Sequence, residues 1–293
     1  VALAGNRLSA LPDSMQQCRD LALLRLSLNQ FAFFPDWLFE LPKLAWLALG
    51  ANPACPVPEA HAITAHRLSD YQLLQKLGEG ASGVIYQARF AQDAELVALK
   101  QFKGWVTSDG CPQDEMNNYL NAGAHPNLIA VKARLKDSEL PGLVMELVPS
   151  SFTVLGQPPS FVSCTRDTFT QGQGLTLVQL KQLAQQVTKV MAHLHQRQIA
   201  HGDLYAHNML VNAQHQLYLG DFGAATALKA LPRQQQQLFC AVEVRAFAYW
   251  LLDMRSLLPA AEQLMFDEQF STVLSQCLQA SVGLRPDFGQ LTG

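Results

Sequence analysis

Residues 77–85 read Leu77-Gly78-Glu79-Gly80-Ala81-Ser82-Gly83-Val84-Ile85, and residues 96–100 read Leu96-Val97-Ala98-Leu99-Lys100. The first stretch is a Gly-x-Gly-x-x-Gly cluster. Glycines let a turn approach phosphates closely and turn backbone N–H groups toward them. A dinucleotide site would start a helix directly after the last glycine. Here Val84 to Phe90 reads as a strand instead, which predicts a β-hairpin flap over phosphates and argues against NAD. The second stretch is a strand ending in lysine. That lysine can reach nucleotide phosphates, and it needs a carboxylate to fix its position. Glu115 is the best candidate, on a short helix from Pro112 to about Asn121, with Asp114 as its rival.

Outward from this pair, His125-Pro126-Asn127-Leu128 follows the helix, and Leu143-Val144-Met145-Glu146-Leu147-Val148 reads as a strand. Leu180, Leu183, Val187, Val190 and Leu194 share one helix face at 3–4 spacing. Then comes His201-Gly202-Asp203-Leu204-Tyr205-Ala206-His207-Asn208, with Asp221-Phe222-Gly223 starting 18 residues after Asp203. Glycine loop, strand lysine, helix glutamate, His-x-Asp-x4-Asn and Asp-Phe-Gly, in this order, resemble the protein kinase family over residues 70–293. Arg285-Pro286-Asp287-Phe288 resembles the family's Arg-Pro-x-Phe near the end of its helical lobe.

The resemblance implies a two-lobed α+β fold, with an N-lobe over 70–148 and a C-lobe over 149–293. It implies ATP and Mg²⁺. Asp203 would accept the substrate hydroxyl proton, and Asn208 and Asp221 would hold the metal. Lys100 and Glu115 would complete the catalytic set. Gly78, Gly80, Gly83, Ile85, Ala98, Lys100, Met145, Glu146, Leu147 and Leu210 would line the nucleotide site, with Met145 as gatekeeper. Positioning and charge neutralisation carry most of this chemistry.

Several positions depart from the family. Gly202 replaces the Arg that pairs with activation-loop phosphate, so a constitutively competent site or regulation through the N-terminal segment is expected. Tyr205 stands where serine/threonine kinases carry a Lys that contacts the transferred phosphate. His207 stands where many tyrosine kinases carry Arg; a substitute cation and a packing residue are both open readings. The activation segment is short, with 22 residues from Asp221 to Glu243, where the next helix pattern is read. Gln234-Gln235-Gln236-Gln237 inside it reads as an exposed flexible loop. With no Ala-Pro-Glu visible, Glu243 is the expected partner of Arg285. Residues 150–175 are rich in Pro, Gly, Ser, Thr and Gln and read as an inserted loop, whose only charges, Arg166 and Asp167, receive no role.

The N-terminal 60 residues carry a repeat. Asn6, Asn29 and Asn52 are 23 residues apart, framed by Leu-x-x-Leu-x-Leu-x-x-Asn at Leu21, Leu24, Leu26, Asn29 and at Leu44, Leu47, Leu49, Asn52. Leu11-Pro12, Phe34-Pro35 and Val57-Pro58 keep the same phase. This resembles the leucine-rich repeat, in which alternating leucines form short strands and the Asn amide satisfies turn backbone. Pro12, Pro35, Pro42, Pro53, Pro56 and Pro58 would interrupt a helix. So few repeats bury their own core poorly; either upstream repeats are absent, or the segment leans on the next domain. Residues 61–69 read as the linker.

The chain has 293 residues, 49% hydrophobic and only 15% charged, with net charge −3 and pI about 6.2. That balance argues against a strongly cationic nucleic-acid binder. No apolar run approaches the ~18 residues that a membrane helix requires. Six scattered cysteines form no Cys-x-x-Cys, so free thiols are expected, and cytoplasm is the default location. The chain starts at Val1 instead of Met and stops soon after Phe288, so both ends are expected to be shortened. The leading function is a Mg-ATP-dependent protein kinase, serine/threonine by default, whose repeats recruit a protein partner. The alternatives are a small-molecule kinase of the aminoglycoside or choline type and a non-catalytic pseudokinase scaffold.

Overall fold

The computed structural model describes residues 1–60, 63–80, 82–104, 106, 110–136, 141–160 and 162–292. His61 and Ala62 of the expected linker and Ala81 of the glycine loop lie outside these residues.

The chain begins with two short parallel strands, β1 (Leu23–Arg25) and β2 (Trp46–Ala48), paired Leu23↔Trp46 through Arg25↔Ala48. The 23-residue period is thus one turn of chain. Asn29 and Asn52 close each turn. The Asn52 amide donates to the carbonyls of Leu26 and Leu49 (both 2.9 Å), and its oxygen accepts from Phe31 N–H at 3.2 Å. Asn29 does the same one turn earlier, with Leu3 and Leu26 carbonyls and Leu8 N–H. A buried short amide with acceptor and donors used is why Asn recurs there.

A six-stranded sheet follows, in the order β3-β7-β8-β6-β5-β4. Its strands are β3 (Ala65–Arg67), β4 (Tyr71–Glu79), β5 (Gly83–Phe90), β6 (Leu96–Phe102), β7 (Val131–Lys136) and β8 (Gly142–Glu146). The strand reading after the glycine cluster holds, since β5 starts at Gly83 itself. The linker reading needs amendment: β3 pairs in parallel with β7, so part of 61–69 is sheet. Helix α1 (Pro112–Ala122) leans on this sheet, with Pro112 at its first turn, where a missing N–H costs nothing.

The helical lobe contains α2 (Leu177–Gln196), α3 (Arg233–Arg255), α4 (Ala260–Cys277) and the short α5 (Phe288–Leu291). Thr176 and Gln179 form a capping box at the start of α2, and its face of Leu180, Leu183, Val187, Val190 and Leu194 is fully buried. Between α2 and α3 run β10 (Ile199–Ala200), β11 (Met209–Val211), β12 (Leu217–Leu219) and β13 (Thr226–Ala227); β9 (Thr153–Val154), from the 150–175 segment, pairs with β11.

Two readings of this region are corrected. Gln234–Gln237 is not a loop but the first turn of α3, which begins ten residues before Glu243. Gln235 is buried there, donating to Phe34 O and to Asp36 Oδ1 at 2.8 Å. Glutamine carries no charge to desolvate, so a run of it can enter a helix and bridge to a neighbour. Glu243 does not pair with Arg285. It accepts from His195 Nε2 at 2.7 Å and from Gly202 N–H at 2.6 Å, while Arg285 donates to the carbonyls of Ala241, Gln279 and Pro42.

The N-terminal segment leans on the helical lobe. Leu24, Leu26, Phe31, Phe34, Leu47 and Leu49 share one apolar cluster with Ala200, Leu228, Leu231, Leu238, Phe239 and Val242. The leucines on one side of β1 and β2 point into this cluster, and the alternate residues Arg25 and Trp46 face the loop at 201–208. All six cysteines are free, and among the described residues no helix is long and apolar enough to cross a membrane.

Candidate active site

Lys100 sits on β6 opposite Ile85 of β5 and Leu143 of β8. Its Nζ forms an ion pair with Glu115 of α1, and both side chains are largely buried. The choice between the two acids is thereby made: Asp114 turns the other way, toward Cys111 and the backbone of Ala51. Burial raises the Glu115 carboxyl above its ordinary value; Lys100 opposes that rise and Asp221 adds to it, so Asp221 lies within electrostatic reach of Glu115.

The glycine hairpin closes through Gly80 N–H to Gly83 O at 3.0 Å. Its glycines differ in what they permit. A Cβ on Gly83 would lie 2.6 Å from Gln101 O, whereas one on Gly78 or Gly80 would meet nothing within 4 Å. The open side is where phosphates can approach the backbone. Ala98 and Met145 pair across β6 and β8, both nearly buried, with Ile85 and Leu147 packed on the same cluster. Glu146 N–H donates to Ala130 O, which fixes the edge of that apolar slot. Leu210 follows on β11, half-buried.

The loop at 201–208, which the kinase resemblance makes the catalytic loop, is built by its own hydrogen bonds. His201 Nδ1 accepts from Asp203 N–H at 3.3 Å, which leaves Nε2 to donate to Gly220 O at 2.9 Å. Asn208 Nδ2 donates to Asp203 O and Oδ2, both at 2.9 Å. The β11–β12 hairpin pairs Met209 with Leu219, so Asn208 and Asp221 stand at the same end of it. Asp221 is exposed and holds a left-handed backbone, φ +55°, with its Oδ1 accepting from Gly223 N–H. Phe222 is fully buried, packed against Tyr119 of α1 and against His201. That column ties the helix carrying Glu115 to the loop carrying Asp203.

An amide oxygen and a carboxylate oxygen at Asn208 and Asp221 are hard donors that suit Mg²⁺, which takes one or two protein carboxylates and fills its octahedron with water and phosphate oxygens. Among the described residues no group of three or more His, Cys, Asp or Glu could close a cage around an ion. The Asn208 and Asp221 oxygens fit a metal whose other positions are filled by water and phosphate oxygens.

The N-terminal segment enters this site. Arg25 of β1 forms an ion pair with Asp203 Oδ1 and donates to Gly202 O at 2.7 Å. Trp46 of β2 stacks on Tyr205 (centroids 4.7 Å, planes 5° apart) and on Tyr249 (5.4 Å), and its Nε1 donates to Leu204 O. Leu49 N–H donates to Thr226 Oγ1 in the activation segment. Burial pushes the Asp203 carboxyl up, but Arg25 first, then His207, His201 and Asn208 outweigh it, and its pKa falls below the ordinary value. The unusual Gly202 has its explanation here. Its φ is +75°, and a Cβ would lie 2.5 Å from Ala224 O and 2.9 Å from Leu47 O. No side chain fits where the activation segment and the N-terminal strand both crowd the loop.

Two residues passed over in the sequence hold the loop from the other side. Asp167 is buried and accepts from Ala206 N–H at 2.6 Å and from His207 Nδ1 at 2.8 Å. Arg166 pairs with Asp253 of α3 at 2.6 Å and lies over the Tyr249 ring. Being the only two charges in an otherwise uncharged insert was the signal available for them. His207 is thus occupied by Asp167 and stacked on Tyr205, which favours the packing reading over the substitute cation.

The protein kinase domain family model matches residues 71–246. The chain is 31% identical over 162 residues to the serine/threonine-protein kinase PITSLRE of Drosophila melanogaster. It is 30% identical over 164 residues to cyclin-dependent kinase 11.1 of Caenorhabditis elegans, and 30% over 161 residues to cyclin-dependent kinase 11.2 of the same organism. Each alignment covers 54% of this chain, but they cover only 16%, 21% and 23% of the three relatives. The chain therefore matches less than a quarter of the length of these curated relatives.

Proposed function

The chain belongs to the protein kinase family, and we propose that it transfers the γ-phosphate of ATP to a serine or threonine hydroxyl of a protein. Gly78, Gly80 and Gly83 would cover the phosphates, and Ile85, Ala98, Met145, Leu147 and Leu210 would sandwich the adenine, with the backbone of Glu146 and Leu147 at its edge. Lys100, fixed by Glu115, would orient the α- and β-phosphates. Asp203 would accept the hydroxyl proton. Asn208 and Asp221 would hold Mg²⁺, which supplies charge neutralisation at the phosphates. The observation that carries this reading is the joined column: Lys100 paired with Glu115 on α1, and α1 tied through Tyr119 and Phe222 to the His201–Asp203 loop. A family resemblance in motifs alone would not require the two halves to be linked in the same conformation.

Within this reading, residues 1–60 act as leucine-rich repeats and 70–293 as the kinase unit, with its lobes meeting near 148. The strand face of the repeats is taken up by the catalytic loop. A protein partner would therefore meet the outer side, where Phe33 is 72% exposed.

Mass spectrometry of the chain incubated with Mg-ATP, alone and with casein, tests the proposal. Phosphate appears on wild type and vanishes with Lys100→Ala. Asp203→Asn abolishes transfer but retains ATP binding, since Lys100 and Asp221 remain. Transfer by Asp203→Asn at the wild-type rate would sink the role of Asp203.

One observation favours a second acceptor class. The activation segment is only about ten residues long before α3, and it is hydrogen-bonded to the repeat strand, leaving little platform for an extended peptide. ATP consumption that requires an amino-alcohol or aminoglycoside, with no phosphoprotein formed, would select a small-molecule acceptor.

A further inference from the structure

The phosphate-transfer site borrows a residue from the N-terminal segment. Arg25 stands beside two other basic side chains there. Lys100 is held by Glu115, and His207 by Asp167. The Arg25 side chain is 7% exposed, and its guanidinium reaches the catalytic loop at two points, Asp203 Oδ1 and Gly202 O. The other Asp203 oxygen, Oδ2, accepts from Asn208. Both oxygens of one carboxylate are thus held, one from inside the kinase loop and one from a strand 178 residues away in sequence.

We propose, building on the kinase reading above, that Arg25 is a positioning residue of the active site: its planar fork fixes the Asp203 carboxylate and the Gly202 backbone together in the orientation for phosphoryl transfer. Three features support it. A guanidinium presents two parallel donors, which can grip a carboxylate and a neighbouring carbonyl at once, as an ammonium cannot. The contact is anchored on both sides: β1 and β2 share an apolar cluster with the helical lobe, and Arg285 bonds back to Pro42 O. And the loop accommodates it: at Gly202, where the positive φ and Ala224 O already call for glycine, the missing Cβ also leaves room for Leu47 O, and the Tyr205 ring stacks on Trp46.

The test uses the full chain, with casein as acceptor. Arg25→Gln should lower kcat by ~10²-fold, the scale of misplacing a catalytic group by about 1 Å, with KM for ATP changed less than about threefold. Arg25→Lys keeps the charge without the fork and should fall between Gln and wild type. Arg7→Gln, on the exposed edge of the N-terminal segment, should match wild type. Thermal melts and ATP binding confirm that each variant is folded; if Arg25→Gln is not, the lysine variant decides. A folded Arg25→Gln or Arg25→Lys as fast as wild type overturns the inference, and a faster one makes Arg25 an inhibitory clamp, which overturns it too. Wild type that phosphorylates neither casein nor itself would sink the kinase reading and this inference together. An active wild type with an equally active Arg25→Gln would sink the inference alone.

Discussion

Replacing Trp46 with alanine removes the indole that joins the N-terminal segment to the catalytic loop. Trp46 is 1% exposed, stacks on the rings of Tyr205 and Tyr249, and donates to Leu204 O. Truncating a core tryptophan to alanine costs about 3–5 kcal/mol. The stacked pairs and the lost hydrogen bond put this site in the upper part of that range, ~4.5 kcal/mol. Whole domains are stable by only about 5–15 kcal/mol, so the loss is a large share of the total. With a urea m-value on the order of 3 kcal/mol/M, the midpoint should fall by ~1.5 M. Because the apolar cluster runs across the boundary, the variant should still unfold in one transition, with tryptophan fluorescence and far-UV circular dichroism coincident. Phe33→Ala, on the exposed side of the same segment, should stay within about 0.5 kcal/mol of wild type. The reasoning fails if Trp46→Ala costs less than about 1 kcal/mol, or if a transition of the N-terminal segment separates from the helical one.

Single contacts give two more expected outcomes. Gly83→Ala should lower the thermal midpoint, since its Cβ would press on Gln101 O, whereas Gly80→Ala should leave the melt unchanged and raise KM for ATP where phosphates approach; equal melts for the two would contradict this. Burial works against the charged imidazole of His195, but Cys240 and Glu243 beside it more than reverse that, raising its pKa to about 10. The folded value exceeds the unfolded ~6.5, so this stabilisation is complete below pH 6.5 and is lost as pH climbs toward 10. Urea midpoints of wild type should decline over that window and those of His195→Gln should not; parallel curves would refute the assignment.

The residues that form the candidate site were legible because each sits in a local pattern. Lys100 ends an alternating strand, and Asp203, Asn208 and Asp221 keep fixed spacings along one loop and hairpin. Glu115 against Asp114 was not decidable from the chain alone, since adjacent helix positions differ by about 100° in direction and only packing selects which faces Lys100. Gln234–Gln237 misled for a related reason. Its polarity reads as solvent exposure, and only the neighbouring Phe34 and Asp36 supply the partners that let Gln235 be buried. Arg166 and Asp167 carried a composition signal but no periodicity, so their anchoring of the catalytic loop was invisible until Ala206 and Tyr249 came near.

By itself, then, the sequence determined the glycine hairpin, the strand lysine, the loop acids and the 23-residue coil, because these depend on spacings of a few residues that backbone geometry translates directly. Tertiary structure alone decided that the coil turns its strand face onto the kinase loop and brings Arg25 to Asp203. Contacts 178 residues apart leave no period in the chain. Their one local trace is Gly202, a missing side chain where the backbones of Ala224 and Leu47 both crowd the loop.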